Sequence, residues 1–221
     1  MDTIGKLKTC LKQFECESTL SQLPPHQKAS VLIPLFVKKG EFHILMTLRS
    51  LNLKHSAGEV CFPGGKHDSG DRDEIDTALR EAEEEIGLST DQVEVVGRLF
   101  PVLSKSGLFV TPVVAFIKDT FQAHPNPEEV SHVFSVPLSF FLSQTNHSSY
   151  NLPGITGKIH SFMYQDFDSK KMFHIWGLTA ILAVLVAVLL LSRKPMFEVD
   201  FDSEDPLPFF QRNLHLQISK L

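Results

Sequence analysis

Residues 176–191, WGLTAILAVLVAVLLL, carry no charge and are followed by Ser192, Arg193, Lys194 and Pro195. A helix that is apolar all round must be buried on more than one side. The run reaches only ~24 Å as a helix, short of a hydrocarbon core of ~30 Å. Gly177 stands near its start and Pro195 just past its end, so the reading is a terminated helix inside a protein core. A membrane anchor is the alternative. A core that can take such a helix needs a sizeable domain, and 221 residues with 43% hydrophobic and 21% charged side chains can build one.

The remaining pattern places elements around that helix. Ile4, Leu7, Leu11 and Phe14 recur at helical spacing, which predicts a short amphipathic helix over 2–16, and residues 17–28 read as a proline-broken linker. Asp2, Glu15 and Glu17 weigh against an acid-poor transit peptide. A domain is expected over 29–200. Strands are expected at 30–37 and 42–48 around a Lys39–Gly40 turn, with a polar loop over 49–65. A helix over 75–87 closes at Gly87. Strands follow at 93–103 and 108–117 around Ser106–Gly107, then near 129–136 with a short helix at 137–142. A hairpin at 159–167 and 172–176 precedes the apolar helix, and MFEVDF (196–201) reads as a last strand. Strands mixed with two principal helices predict an α/β/α sandwich around a mixed sheet.

The bulk chemistry excludes some classes. A net charge of −5 gives no footprint for nucleic acid, so no stable nucleic-acid partner is expected. Cys10, Cys16 and Cys61 form no CxxC and read as free thiols of a reducing compartment, while the ten histidines are not clustered as zinc ligands. His43, His55 and His67 read as surface residues. The closing Ser219-Lys220-Leu221 reads as a peroxisomal address, recognised by an import receptor on a flexible tail over 201–221. The expected location is the peroxisomal matrix. Monomer and homodimer both stay open.

The chemistry concentrates in REAEEEIGL, residues 80–88. Glu81, Glu84 and Glu85 share one helical face. Like charges at that spacing repel unless a cation neutralises them, and Mg²⁺ or Mn²⁺ favours carboxylate oxygen and bridges to phosphate. Arg80 can pair with a neighbouring acid. A solvated face would account for the glutamates alone, but not for the Gly64-Gly65 bend upstream or for Gly87 directly after them.

At these residues the chain resembles the Nudix hydrolase family, whose signature runs G-x5-E-x7-R-E-U-x-E-E-x-G-U with U apolar. Arg80, Glu81, Ala82, Glu84, Glu85, Gly87 and Leu88 match its second half. Counted from Gly65, Asp71 stands where the family has Glu, and one extra residue precedes Arg80; this leaves Asp71 a structural role, closing the loop on the helix. Residues 45–65, LMTLRSLNLKHSAGEVCFPGG, resemble the motif of the coenzyme A pyrophosphatase branch, L-L-T-x-R-[SA]-x3-R-x3-G-x3-F-P-G-G. Thr47, Arg49, Ser50, Gly58, Phe62, Pro63, Gly64 and Gly65 fall in register, and Lys54 replaces an arginine. That branch carries the same shifted, Asp-bearing box.

The resemblance implies metal-dependent hydrolysis of the diphosphate in coenzyme A or acyl-CoA, giving 3',5'-ADP and (acyl-)4'-phosphopantetheine. Glu81 and Glu85 are the expected principal ligands of Mg²⁺ or Mn²⁺, Glu84 a third ligand or the general base, and the Gly65 carbonyl a further oxygen. Glu129 is a second candidate base, with an exposed acid at a strand start as the plain alternative. Arg49 and Lys54 are the candidates for the substrate's phosphates; a structural ion pair is the other reading of Arg49. Cys61 reads as a small buried hydrophobe and Phe62 as packing beneath the loop. Rival readings keep the metal but cut NADH, ADP-ribose or dinucleotide polyphosphates, or make the domain a silent binding module. RNA capped with coenzyme A would present the same bond.

Overall fold

The computed structural model describes residues 3–12, 28–104, 106–152 and 157–219. After α1 (Thr3–Leu11), β1 (Lys28–Lys38) and β2 (Glu41–Arg49) form an antiparallel hairpin. Its turn residues Lys39 and Gly40 have φ of 54° and 81°. Two successive positive φ values match the right-handed twist of the flanking strands. β3 (Val60–Cys61) and β4 (Gly64–Lys66) lead to α2 (Glu74–Ile86). Asp73 caps α2 by accepting the Ile75 and Asp76 N–H groups, and Gly87 ends it at φ 70°. Then come β5 (Val93–Arg98), β6 (Val102–Leu103), β7 (Phe109–Ile117) and β8 (Val130–Pro137), followed by a 3-10 turn at Leu138–Leu142. β9 (His147–Asn151), β10 (Lys158–Gln165), β11 (Met172–Trp176), α3 (Gly177–Leu191) and α4 (Leu207–Ile218) complete the chain.

Among the described residues, β1–β8 form one mixed sheet with the central order β3-β2-β1-β7-β5. β1 and β7 are parallel and the other pairings antiparallel. β1 forks: its first residues, Ala29–Val31, pair with β4, and its last, Leu35–Lys38, with β2. That fork brings the Gly64–Gly65 bend under α2. Ala78, Ala82 and Ile86 of α2 pack on Leu32, Val113 and Ala115 from one sheet face. The opposite face meets α3, with Ile33, Ile44 and Met46 in one core with Ala183, Val184 and Val186. Helices on both faces make the expected α/β/α arrangement. A smaller antiparallel sheet, β11-β10-β9, packs beside it, with Phe173 stacked on Phe134 at 3.8 Å.

The long apolar run is a core helix. Ala180, Leu182–Val188 and Leu190 of α3 are buried, and among the described residues no helix is long and apolar enough to cross a membrane. It ends at Ser192, which takes φ 51°, before Pro195 is reached.

Several expectations need correcting. MFEVDF is not a strand: Phe197 stacks on His147 at 3.6 Å, and Asp200 takes the Lys158 N–H with its side chain rather than its backbone. Its alternation serves packing without a ladder. The expected flexible tail is partly helical. Leu207, Phe210 and Leu214 lie at helical spacing, and Phe210 and Leu214 of α4 are buried in the α3-side core. The polar run at 202–205 masked that stripe. Leu7 and Leu11 of α1 enter the same core, so the flanking helices belong to the domain's packing. Ser219 closes α4 by donating its N–H to the His215 carbonyl, while Lys220, Leu221, most of the linker and Cys16 lie outside the described residues. Strand 93–103 is interrupted between β5 and β6, where Pro101 has no N–H to donate. β9 was not expected, because HSSYN is polar and mostly exposed.

Candidate active site

The site begins with two glycines. Gly64 has φ 154°, and a Cβ there would collide with the Ser30 carbonyl and the Val31 backbone of β1, so only glycine fits. Its N–H donates to Glu85 Oε2 at 3.1 Å. A Cβ on Gly65 would land in the Glu81 carboxylate. The bend therefore lays bare backbone against two acids that sit one helical turn apart on α2.

Arg80 organises the remaining side of this helix. Its Nε and Nη2 donate to both oxygens of Asp71, at 2.9 and 3.0 Å. Nη2 also reaches the Lys66 carbonyl at 3.1 Å, and Nη1 reaches Glu81 at 3.1 Å and Glu84 at 3.2 Å. Asp71 further accepts from the Thr77 hydroxyl at 2.8 Å and the Asp68 N–H at 2.9 Å. The Arg80 guanidinium holds the Asp71 carboxyl well below the usual carboxylate range. Asp71 thus lies across Arg80 from the glutamates, tying loop 66–73 to α2.

The three glutamates differ in setting. Glu85 is 4% exposed, and burial pushes its carboxyl up to about 7, with the Glu81 and Glu129 charges adding to the rise. Glu81 is also raised by burial. Glu84 is largely exposed, with Arg80 as its partner. Glu129 comes from the loop before β8, close enough that its charge acts on both Glu81 and Glu85. That loop is pinned: the Asn126 N–H donates to the Glu85 carbonyl at 2.9 Å, and the Glu129 carbonyl accepts the Ser50 N–H at 2.8 Å. In the sequence Asn126-Pro127 reads only as a loop, and nothing there signals that it closes on Glu85.

Arg49 ends β2 beside this cluster. Its charge acts on Glu85 and on the Cys61 thiol, and its Nε is buried with no hydrogen-bond partner. Lys54 instead is exposed in loop 50–59. Cys61 is pushed up to about 11 by burial and hydrogen-bonds with Thr47 at 3.2 Å, which leaves it a packed thiol. Phe62 is buried in the α3-side core.

The donor set suits a hard cation. Carboxylates of Glu81 and Glu85 meet a half-buried stretch of glycine backbone, and Glu84 and Glu129 stand nearby. Among the described residues no group of three or more histidine, cysteine, aspartate or glutamate side chains is converged to hold a metal ion. An open set of oxygens is what a small divalent ion needs when it keeps waters and shares oxygens with a phosphate substrate. Gly65→Ala tests this closeness. The new methyl should push out the flexible end of Glu81, weakening the activating metal by about 10–100-fold, as loss of a ligand-orienting contact does. The melting temperature should stay near that of the wild type, and metal titration of activity alongside a thermal melt reads both.

A mixed sheet between helices, with a glycine bend closed on the acids of one helix, defines a hydrolase of the kind that works on phosphate anhydrides with a divalent ion. The chain belongs to the Nudix hydrolase family: the NUDIX domain model matches residues 26–150. The chain is 41% identical, over 99% of its length and 94% of the relative's, to "Peroxisomal coenzyme A diphosphatase NUDT7" of Mus musculus. It is 40% identical, over 89% of its length and 71% of the relative's, to "Nudix hydrolase 15, mitochondrial" of Arabidopsis thaliana. A third relative, "Nudix hydrolase 22, chloroplastic" of the same plant, is 42% identical over 77% of this chain and 58% of its own. Nudix hydrolases act with divalent metal ions.

Proposed function

We propose that this protein hydrolyses the diphosphate of coenzyme A and acyl-CoA, releasing 3',5'-ADP and (acyl-)4'-phosphopantetheine. The observation that carries the reading is Arg49. The residue falls in register with the coenzyme A motif, and its guanidinium stands beside Glu85 with a buried, unpartnered Nε. A fork of N–H donors held next to the acids suits a phosphate oxygen. The mouse relative's name, with near-full coverage of both chains, supports the same substrate.

Glu81 and Glu85, with the Gly65 carbonyl and Glu84, would hold Mg²⁺ or Mn²⁺. A divalent ion held there would supply neutralisation of the diphosphate charge and acidification of water. The chain's own residues do the rest. Arg49 orients the diphosphate, with Lys54 on its exposed loop reaching for an outer phosphate. Glu129 is the better-placed base, since no ion pair engages it among the described residues, whereas Glu84 is turned to solvent with Arg80. As water adds to one phosphorus, the base takes its proton and the P–O–P bridge breaks toward the other. Arg80 and Asp71 position Glu81 and the loop without touching substrate.

The proposed location is the peroxisome, as the mouse relative's name says of that protein; the plant relatives are named for other organelles. One product analysis tests the activity. Purified protein with Mg²⁺ or Mn²⁺ should release 3',5'-ADP from coenzyme A and leave NADH and ADP-ribose intact in parallel tubes. Cleavage of NADH or ADP-ribose alone would keep the acids' role and overturn the substrate.

A further inference from the structure

Leu45, Thr47 and Arg49 lie at every second position of β2 and so share the sheet face that α2 covers. Strand β8 continues this face: Val133 pairs with Thr47, and Ser135 with Leu45. Beyond Thr47 the face opens into a cavity of about 440 Å³, the size of a small-molecule site. Its apolar lining is Phe36, Leu45, Ala123, Val133 and Phe134, with His132, Ser135 and Ser169 on the polar side. Ala123 belongs to the loop whose Asn126 N–H bonds the Glu85 backbone carbonyl and whose Glu129 charge acts on Glu81 and Glu85, so one loop borders both the acids and the cavity. Along β2, Leu45 lies ~13 Å from Arg49.

The charge of the lining restricts what can enter. Asp166 and Asp168 are part of it, no lysine or arginine is, and burial holds the His132 imidazole toward its neutral form. Lys38 stands 3.5 Å from Asp168, already matched to that acid. The phosphorylated ADP half of the substrate is disfavoured there. A neutral chain with amide N–H and hydroxyl donors and an apolar end fits: the Ser135 hydroxyl and the carboxylate oxygens not taken by Ser169 or Lys38 can accept from the donors, while the apolar floor takes the hydrocarbon.

The geometry points to this cavity as the subsite for the acyl-pantetheine arm, a reading that rests on the coenzyme A activity above. The substrate then lies along β2. Its diphosphate sits at Arg49 and the glutamates, its 3'-phospho-ADP half on the side of loop 50–59, and its arm over Leu45 and Val133. Specificity for the arm is set by residues that take no part in the chemistry.

Product inhibition separates the two halves. Ala123→Leu and Ser135→Leu fill the cavity from two different segments of its lining, and each should raise the inhibition constant of 4'-phosphopantetheine and the KM of hexanoyl-CoA by about tenfold, the effect of a blocked apolar pocket. Inhibition by 3',5'-ADP should be unchanged in both. In the wild type, 4'-phosphopantetheine should shift the backbone NMR signals of Ala123 and Ser135, and 3',5'-ADP should not. This measurement needs no variant. Unchanged 4'-phosphopantetheine inhibition in folded variants, equal weakening by both products, or 4'-phosphopantetheine signals that leave Ala123 and Ser135 unmoved would overturn the subsite. Wild type that leaves coenzyme A intact would overturn the activity itself, and the subsite with it.

Discussion

Glu85→Gln is expected to lower coenzyme A turnover by ~10³-fold, the scale of losing several kcal/mol of charge stabilisation at a metal site. The same substitution should make the metal-free protein more stable above neutral pH. Burial raises the Glu85 carboxyl from 4.5 to about 7 in the fold, and the neighbouring charges of Glu81 and Glu129 add to this. Below pH 4.5 both folded and unfolded chains hold the proton and the group costs nothing. As pH rises from there toward 7, the unfolded chain gives up its proton while the fold keeps it, so stability falls. Above 7 the full penalty applies, on the order of 3 kcal/mol at ~1.4 kcal/mol per pKa unit. Glutamine has no proton to lose, so this slope should vanish from the variant's melting curve. Added Mg²⁺ or Mn²⁺ should stabilise the wild type and leave the variant nearly unmoved. Turnover within a few-fold of wild type would remove Glu85 from the site.

Arg80→Ala is expected to cost about 3 kcal/mol of stability, because it strands a buried carboxylate. The Asp71 side chain is 5% exposed and bonded to Arg80 through both oxygens. In a chain of this length, that loss should lower the melting temperature by roughly 6–12 °C. Arg80→Lys should recover little, since an ammonium cannot reproduce the fork. The acid limb of the pH–stability curve checks the cause. Asp71 is held below its ordinary value of 3.8, so its contribution is present above that pH and lost as pH falls through the folded value. Arg80→Ala should flatten that limb. Activity should also fall at low metal concentration, since Glu81 loses its partner. A variant with wild-type melting would mean that Asp71 is held well enough by Thr77, the Asp68 N–H and the neighbouring His67.

Much of this was legible before any tertiary contact was known. The spacing of Glu81, Glu84 and Glu85, the stop at Gly87, the hairpin at Lys39–Gly40 and the core helix at 177–191 all follow from periodicity and local backbone preference, which act within a few residues. The α/β/α layering followed from the same patterns. The errors arose where local signals conflict with packing. Alternation in MFEVDF resembled a strand, and the polar run at 202–205 hid the buried stripe of α4.

The sequence by itself determined which groups the molecule owns: the acids, the glycine bend and the motif over 45–65. Only the tertiary structure decided how they differ. It buries Glu85 and leaves Glu84 in solvent, sets the Gly64 N–H on Glu85, and brings Arg49 and Glu129 to the same acids while Lys54 stays on an exposed loop. It also opens the cavity over Leu45 and Val133. These outcomes depend on desolvation and on contacts between segments far apart in the chain, and neither is encoded in the spacing of neighbouring residues.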